Sequence, residues 1–196
     1  MRIVAITILF LVGAGCAGTE KKNSPEANLS LVAVSPDIAP FFIRQRVEIS
    51  YGEDTHLLDA VIEFDGTTVR TVFLDPASRP AIVMEQAGNE FKAFGPQVDA
   101  LPFDPRWIMQ VIGSALLMSP LHQLEFEQEV RPSALGVVRD TAVDGRLTTR
   151  FVESHHTQIE YSWDGHACPT SIKIENSKQL YSLNITTLQC GEDLNE

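Results

Sequence analysis

The chain has 196 residues, 44% of them hydrophobic, and its 26 acidic side chains outnumber the 15 basic ones to give a net charge of −11. That length suits one domain able to bury its own core. The acidic balance argues against nucleic acid, whose phosphates are neutralised by Lys and Arg, and disfavours broad adhesion to anionic lipid headgroups.

The N-terminus carries its own signal. Arg2 precedes an apolar run from Ile3 to Val12, and Gly13, Ala14 and Gly15 stand directly before Cys16. A positive start, a short apolar stretch and small residues at its end describe an export signal, too short to span a bilayer as a helix. Cysteine just after the small residues resembles a bacterial lipobox, with Gly13 where Leu is usual. The expectation is a signal peptide over 1–15 and a mature chain that begins at acylated Cys16. The alternative is ordinary secretion with cleavage near Ala17 and loss of Cys16. Two acyl chains hold stably, each buried methylene contributing ~0.8 kcal/mol. Loss of Arg2, the one charged side chain in 1–15, takes the net charge to −12. Ala17 after the cysteine resembles an outer-membrane address, which places the lipid-anchored protein on the periplasmic face. Residues 16–33 have the small, polar composition of a flexible tether. One domain is expected over 34–190, with an acidic tail over 191–196.

Alternation of period two then recurs along the chain. Val47, Ile49 and Tyr51 alternate with Arg46, Glu48 and Ser50. Strands are expected over 56–64 and 68–74 around Asp65-Gly66, a hairpin dipeptide, and over 81–85 and 90–94 around Gly88. After a break they resume over 135–140, 146–152, 158–163 and 171–176, and end with 180–188. Short connections mean antiparallel neighbours, and one apolar face means a sheet that covers something.

A single helix interrupts the strands. Asp104 supplies the N-cap and Pro105 the first position, and the helix runs from 106 to about 118. Arg106, Gln110 and Ser114 are nearly its only polar residues. A helix apolar almost all round is buried in a core or covers an apolar cavity. Cys168 and Cys190 are an even pair once Cys16 is acylated, so an oxidising compartment suggests a disulfide. Closing a loop of about twenty residues contributes about 3 kcal/mol in the chain-entropy account. The simplest hairpin register sets Cys168 nearer Leu188, so the bond needs a bulge or a loop excursion.

Catalytic motifs are missing: there is no Gly-x-Ser-x-Gly elbow, no His-Glu-x-x-His and no phosphate-binding loop. On a strand, His156 and Glu160 would share a face and His155 would point the other way. A metal would need a third ligand such as His166, which nothing in the sequence brings there. No catalytic residue, metal or cofactor is expected.

Meandering strands, one apolar helix and further strands after a lipoprotein signal resemble the lipoprotein localisation family of LolA and LolB. Leu74-Asp75-Pro76-Ala77 resembles a turn between two LolB strands, and Tyr161-Ser162-Trp163-Asp164-Gly165 with Ile172-Lys173-Ile174 resembles the C-terminal strands. The ending from Asn176 through Tyr181, Leu183 and Ile185 to Leu188 resembles the lipoprotein family called domain of unknown function 3261, or DUF3261. Members of that family tend to accompany genes for fatty-acid-like or aryl polyene synthesis and export.

The resemblance implies a mainly β fold: a large curved antiparallel sheet, an incomplete barrel, capped by the helix at about 104–118. It implies an acyl or polyene chain bound in the half-barrel, in aid of lipid or lipoprotein transfer at the outer membrane, with a LolA-like periplasmic carrier as a partner. Residues expected to line the cavity are Val47, Ile49, Ile62, Phe73, Met84, Trp107, Ile108, Val111, Ile112, Tyr161, Trp163 and Leu183. Ala77 stands where LolB exposes a Leu to the membrane. A loop with Asp75, Arg79 and no large apolar tip inserts poorly, so the cavity carries over and the delivery step does not. The alternative is a structural envelope lipoprotein with a filled core, docked on a partner in an export or assembly complex. Replacement of Cys16 by Ser should abolish incorporation of radiolabelled palmitate; label that still enters the Ser variant would place the acyl group elsewhere.

Overall fold

The computed structural model describes residues 29–101, 104–178 and 180–191, so the signal segment, Cys16 and residues 192–196 lie outside it. Eleven strands form one antiparallel sheet. The first five are β1 (Phe41–Tyr51), β2 (Asp54–Phe64), β3 (Thr68–Leu74), β4 (Pro80–Ala87) and β5 (Glu90–Phe94). Helix α1 (Pro105–Ile112) follows, and then β6 (Gln128–Ser133), β7 (Gly136–Val143), β8 (Arg146–Val152), β9 (Thr157–Ser162), β10 (Ser171–Asn176) and β11 (Tyr181–Gly191). The spatial order β5-β4-β3-β2-β1-β11-β10-β9-β8-β7-β6 brings the first and last strands together at the centre. The chain meanders to one edge, crosses by way of α1 to the other edge, and meanders back.

Each strand turns one face inward. Ile43, Val47 and Ile49 of β1 share a core with Ala60 and Ile62 of β2, Phe73 of β3 and Ile172, Ile174, Leu183 and Ile185 of β10 and β11. Helix residues Ile108, Met109, Val111, Ala115, Leu116 and Leu117 complete that same cluster. The sheet is therefore an incomplete barrel with the helix in its concavity. Local chemistry sets the hairpins: the Asp65 carboxylate accepts from the N–H of Thr67 and Thr68 at 2.8 and 2.7 Å, and Gly66 takes φ +95°. Those backbone bonds to the charged form hold the Asp65 carboxyl below its ordinary pKa.

Cys168 and Cys190 are joined, with 6.5 Å between their Cα atoms. The bulge the simplest register demanded lies in β11. Arg44 pairs with Gln189 and Gln45 with Thr187, so Leu188 is left over, and Ile43 faces Cys190.

Several expectations change. Sequence reading omitted β6, because Gln128–Ser133 has no apolar alternation: Val130 is 67% exposed and Pro132 removes a donor, both tolerable on an edge strand. His155 and His156 are not on a strand; Glu153–His155 is a 3-10 turn, His156 has φ +50°, and β9 begins at Thr157. The helical run over 106–118 is an α-helix only to Ile112, and a π-helical turn, Gly113–Leu117, completes it. Its Asp104 cap accepts from the Arg106 N–H at 2.8 Å, as the sequence indicated.

The boundary between tether and domain also moves. Val32 is 3% exposed and packs with Leu135, Val138 and Val152. Its carbonyl accepts from Gln86 Nε2 at 2.8 Å, the Ser30 carbonyl accepts from Gln110 Nε2 at 3.1 Å, and Ser35 N–H donates to the Leu117 carbonyl at 2.9 Å. Residues 30–35 are a strap, held to β4 on one side and to β7 and β8 on the other. At the far end of the sheet, Gly191 belongs to β11 and not to a tail.

The π-turn is secured from three directions. Arg150 Nη1 donates to the Ser114 carbonyl at 2.7 Å, the Tyr161 hydroxyl to the Ala115 carbonyl at 2.8 Å, and the strap to Leu117. Arg150 is itself fully buried in a bidentate pair with Asp140, at 2.8 and 3.0 Å. Arg131 reaches the same carboxylate at 2.8 Å, and both arginines donate to Ser119 Oγ. Burial pushes the Tyr161 phenol well above its ordinary pKa, so it remains a donor.

Arg150→Met should cost about 3–5 kcal/mol in urea unfolding, because Asp140 loses its bidentate partner and the Ser114 carbonyl loses its donor. A cost under about 1 kcal/mol would mean the cluster is not needed to hold the turn. Gly113→Ala should cost about 1–3 kcal/mol, since its new Cβ would meet Val32 Cβ at 2.6 Å and force the strap outward.

Candidate functional site

The concave face of the sheet and the underside of the helix meet in an apolar seam. From the sheet, Val47, Ile49, Ile62, Phe73 and Leu183 line it; from the helix, Trp107, Ile108, Val111 and Ile112 do. Nine of the twelve residues expected at a cavity are thus brought together. Met84, Tyr161 and Trp163 are not. Met84 is wholly buried in the core on β4, one strand beyond the lining. Tyr161 lies under the π-turn, where its hydroxyl is committed to Ala115. Trp163 lies beyond the end of β9, where its Nε1 donates to the Leu147 carbonyl at 2.7 Å and Arg146 stacks at 5.4 Å from its ring. Period-two alternation put all three on the inner face, but it carries no information on how far along the strand the helix lies.

Sequence reading missed Ala60, Ala115, Leu116, Ile172, Ile174 and Ile185, all present in its strands and helix, and it missed Gln45. Gln45 is 1% exposed and continues the inward series Ile43, Gln45, Val47 and Ile49. Alternation that starts at Arg46 leaves it out, because a glutamine does not read as an inward residue. The signal for it was the pair Phe41 and Ile43 just before.

The empty space in the seam is about 30 Å³. A cavity that takes benzene measures about 150 Å³ and a water needs about 10–15 Å³, so the closed seam holds a water and no chain. The helix is seated over it from end to end. Arg106 lies 5.7 Å from the Phe91 ring of edge strand β5, and Trp107 meets Tyr181 of β11 edge-on at 4.8 Å.

At the other side of Val111 the seam ends in a second space of about 20 Å³, bordered by Gln110, His155, Thr157, Asn176 and Tyr181. Asn176 Nδ2 donates to the His155 carbonyl at 2.6 Å and to Thr157 Oγ1 at 2.9 Å. Burial, with the Lys178 charge adding to it, lowers the His155 pKa, so the ring is held neutral. These groups are satisfied among themselves and form a polar plug. Among the described residues no group of His, Cys, Asp and Glu is placed to hold a metal ion, and no helix is long and apolar enough to cross a membrane.

The Asp75–Arg79 connection between β3 and β4, where the resemblance to LolB begins, is a compact polar turn. Asp75 accepts from the N–H of Ala77 and Arg79 at 2.8 and 2.9 Å and from Arg79 Nε at 2.9 Å. Ala77 is exposed at its tip with no large apolar neighbour.

Among solved structures the chain is similar to a LolA superfamily protein from Nitrosomonas europaea, at 13% identity over 81% of this chain and 87% of that one, with a TM-score of 0.49. It is similar to a domain described as outer membrane lipoprotein-sorting from Vibrio parahaemolyticus, at 8% identity over 81% and 87%, with a TM-score of 0.47. It is also similar to a DUF1329 family protein from Desulfovibrio piger, at 10% identity over 82% and 89%, with a TM-score of 0.52. At 10% identity the likeness to this last protein is one of fold alone. No curated protein matches the chain. The family described as protein of unknown function DUF3261 matches residues 43–189, and the chain belongs to that family.

Proposed function

We propose that this protein is a non-enzymatic envelope lipoprotein that takes a hydrophobic acyl or polyene chain between its concave sheet and its helix, in aid of lipid or lipoprotein transfer at the outer membrane. The observation that carries the reading is the seam. Two large apolar surfaces face one another across a space that is already partly empty and is lined on every side but one by aliphatic and aromatic side chains. The resemblance of the sequence to the lipoprotein localisation family supports the same reading, as does the acylation expected at Cys16. A chain of about fourteen methylenes gains on the order of 10 kcal/mol gross on burial, at ~0.8 kcal/mol each, before ordering and opening costs.

A chain enters only if the helix lifts, because 30 Å³ is too small for it. In this reading the N-terminal half of α1 is the part that lifts, because the buried Arg150 guanidinium and the Tyr161 hydroxyl hold the π-turn at the other end. The geometry of the Asp75–Arg79 turn gives no apolar tip for insertion into a bilayer, so delivery, if it occurs, uses another surface or a carrier protein.

One observation favours the structural reading: the helix is buried on the sheet side and again beneath the strap, as a plain core element would be. Ile112→Trp separates the two. Ile112 is half-buried at the seam. In a carrier whose lid moves, the ring should occupy the seam and abolish uptake of a fluorescent fatty acid while urea stability changes by less than about 1 kcal/mol. In a fixed core, overpacking should cost about 1–3 kcal/mol or more, and the parent should take up no probe.

A further inference from the structure

The wall of the seam has one polar interruption, and it is unsatisfied. Gln45 Nε2 is buried and has no hydrogen-bond partner. The other buried side-chain atoms in that condition among the described residues belong to Arg44, Thr71 and Gln86, none of which borders the seam. Leaving such an amide donor unpaired in a dry wall is costly, and a methionine or leucine would fill the same place on β1 without that cost. Gln45 faces the helix from the middle of the sheet, between Ala60 of β2 and Thr187 of β11. Around it the lining is aliphatic, so no side chain of the seam can complete the bond.

We infer that Gln45 is a polar anchor within the seam, and that the chain received there carries an oxygen function, a carbonyl or ester or carboxyl group, that accepts from Gln45 Nε2. The inference rests on the carrier reading and narrows it: the ligand is an oxygenated acyl chain and not a bare hydrocarbon. An amide donor in an apolar wall does two things. It offsets the desolvation of an oxygen acceptor that enters with the chain, and it fixes how deep the chain slides. A pure hydrocarbon leaves the donor as it was and gains nothing from it. The orphaned donor in the closed state is then the counterpart of a bond made only when the helix lifts and the seam is occupied.

Displacement of N-phenylnaphthylamine from the exported Cys16→Ser chain tests this, with methyl tetradecanoate and tetradecane as competitors. In an apolar cleft with no donor the ester should bind more weakly than the alkane, because its carbonyl loses water without replacement. In the wild-type seam the ester should bind at least as tightly as the alkane. Gln45→Met should weaken the ester about tenfold, the size of one buried hydrogen bond, and leave the alkane unchanged. An ester already about tenfold weaker than the alkane in the wild-type protein overturns the inference without any variant. Equal losses of ester and alkane in Gln45→Met also overturn it, since they mean a packing role. If neither competitor displaces the dye and the dye itself does not bind, the carrier reading fails and takes this inference with it.

Discussion

Everything about the concavity depends on how the end of the helix is held. A helix terminus leaves carbonyls without intrahelical partners, and here that terminus is buried. Arg150, Tyr161 and the Ser35 amide each donate to one carbonyl of the π-turn, and they come from β8, β9 and the N-terminal strap. A guanidinium without exposure needs a counter-charge, and Asp140 on β7 supplies it in bidentate form while also serving Arg131 on β6. A buried pair of this kind contributes little net stability over an apolar replacement. What it contributes is placement. It ties strands β6, β7 and β8 to one turn of helix and so sets where the helix lies over the sheet.

The strap follows from the same constraint. A helix that is apolar all round cannot rest against a sheet with its back to water. Residues 30–35 cover that back, with Val32 between Gly113 and strands β7 and β8. The absence of a Cβ at Gly113 lets the two backbones approach.

The two halves of the helix are therefore unlike. Its C-terminal turn is pinned by charge and by hydrogen bonds in a dry environment, where such bonds are costly to break. Its N-terminal turn meets the sheet through Arg106 on the Phe91 ring and Trp107 on Tyr181. The closed cavity and the unpaired amide are then two aspects of one state, a seam that is nearly full but not fully satisfied.

The sequence by itself determined the elements that depend on local rules. Alternation located ten of the strands to within a few residues, and Asp104 and Pro105 set the helix start. Nine of the twelve residues expected at a cavity border the seam, because inward residues on strands near the helix are core whatever the details. Tertiary structure alone decided the rest. β6 has no apolar alternation, since an edge strand under no helix needs none. The π-turn exists because donors from distant strands meet its carbonyls. Met84, Tyr161 and Trp163 missed the seam because period two says which face a residue is on but not what lies opposite it. Gln45 went unseen for the same reason: the meaning of a polar residue on an apolar face resides in the partner it lacks, and only the packed fold shows which partners it could have had.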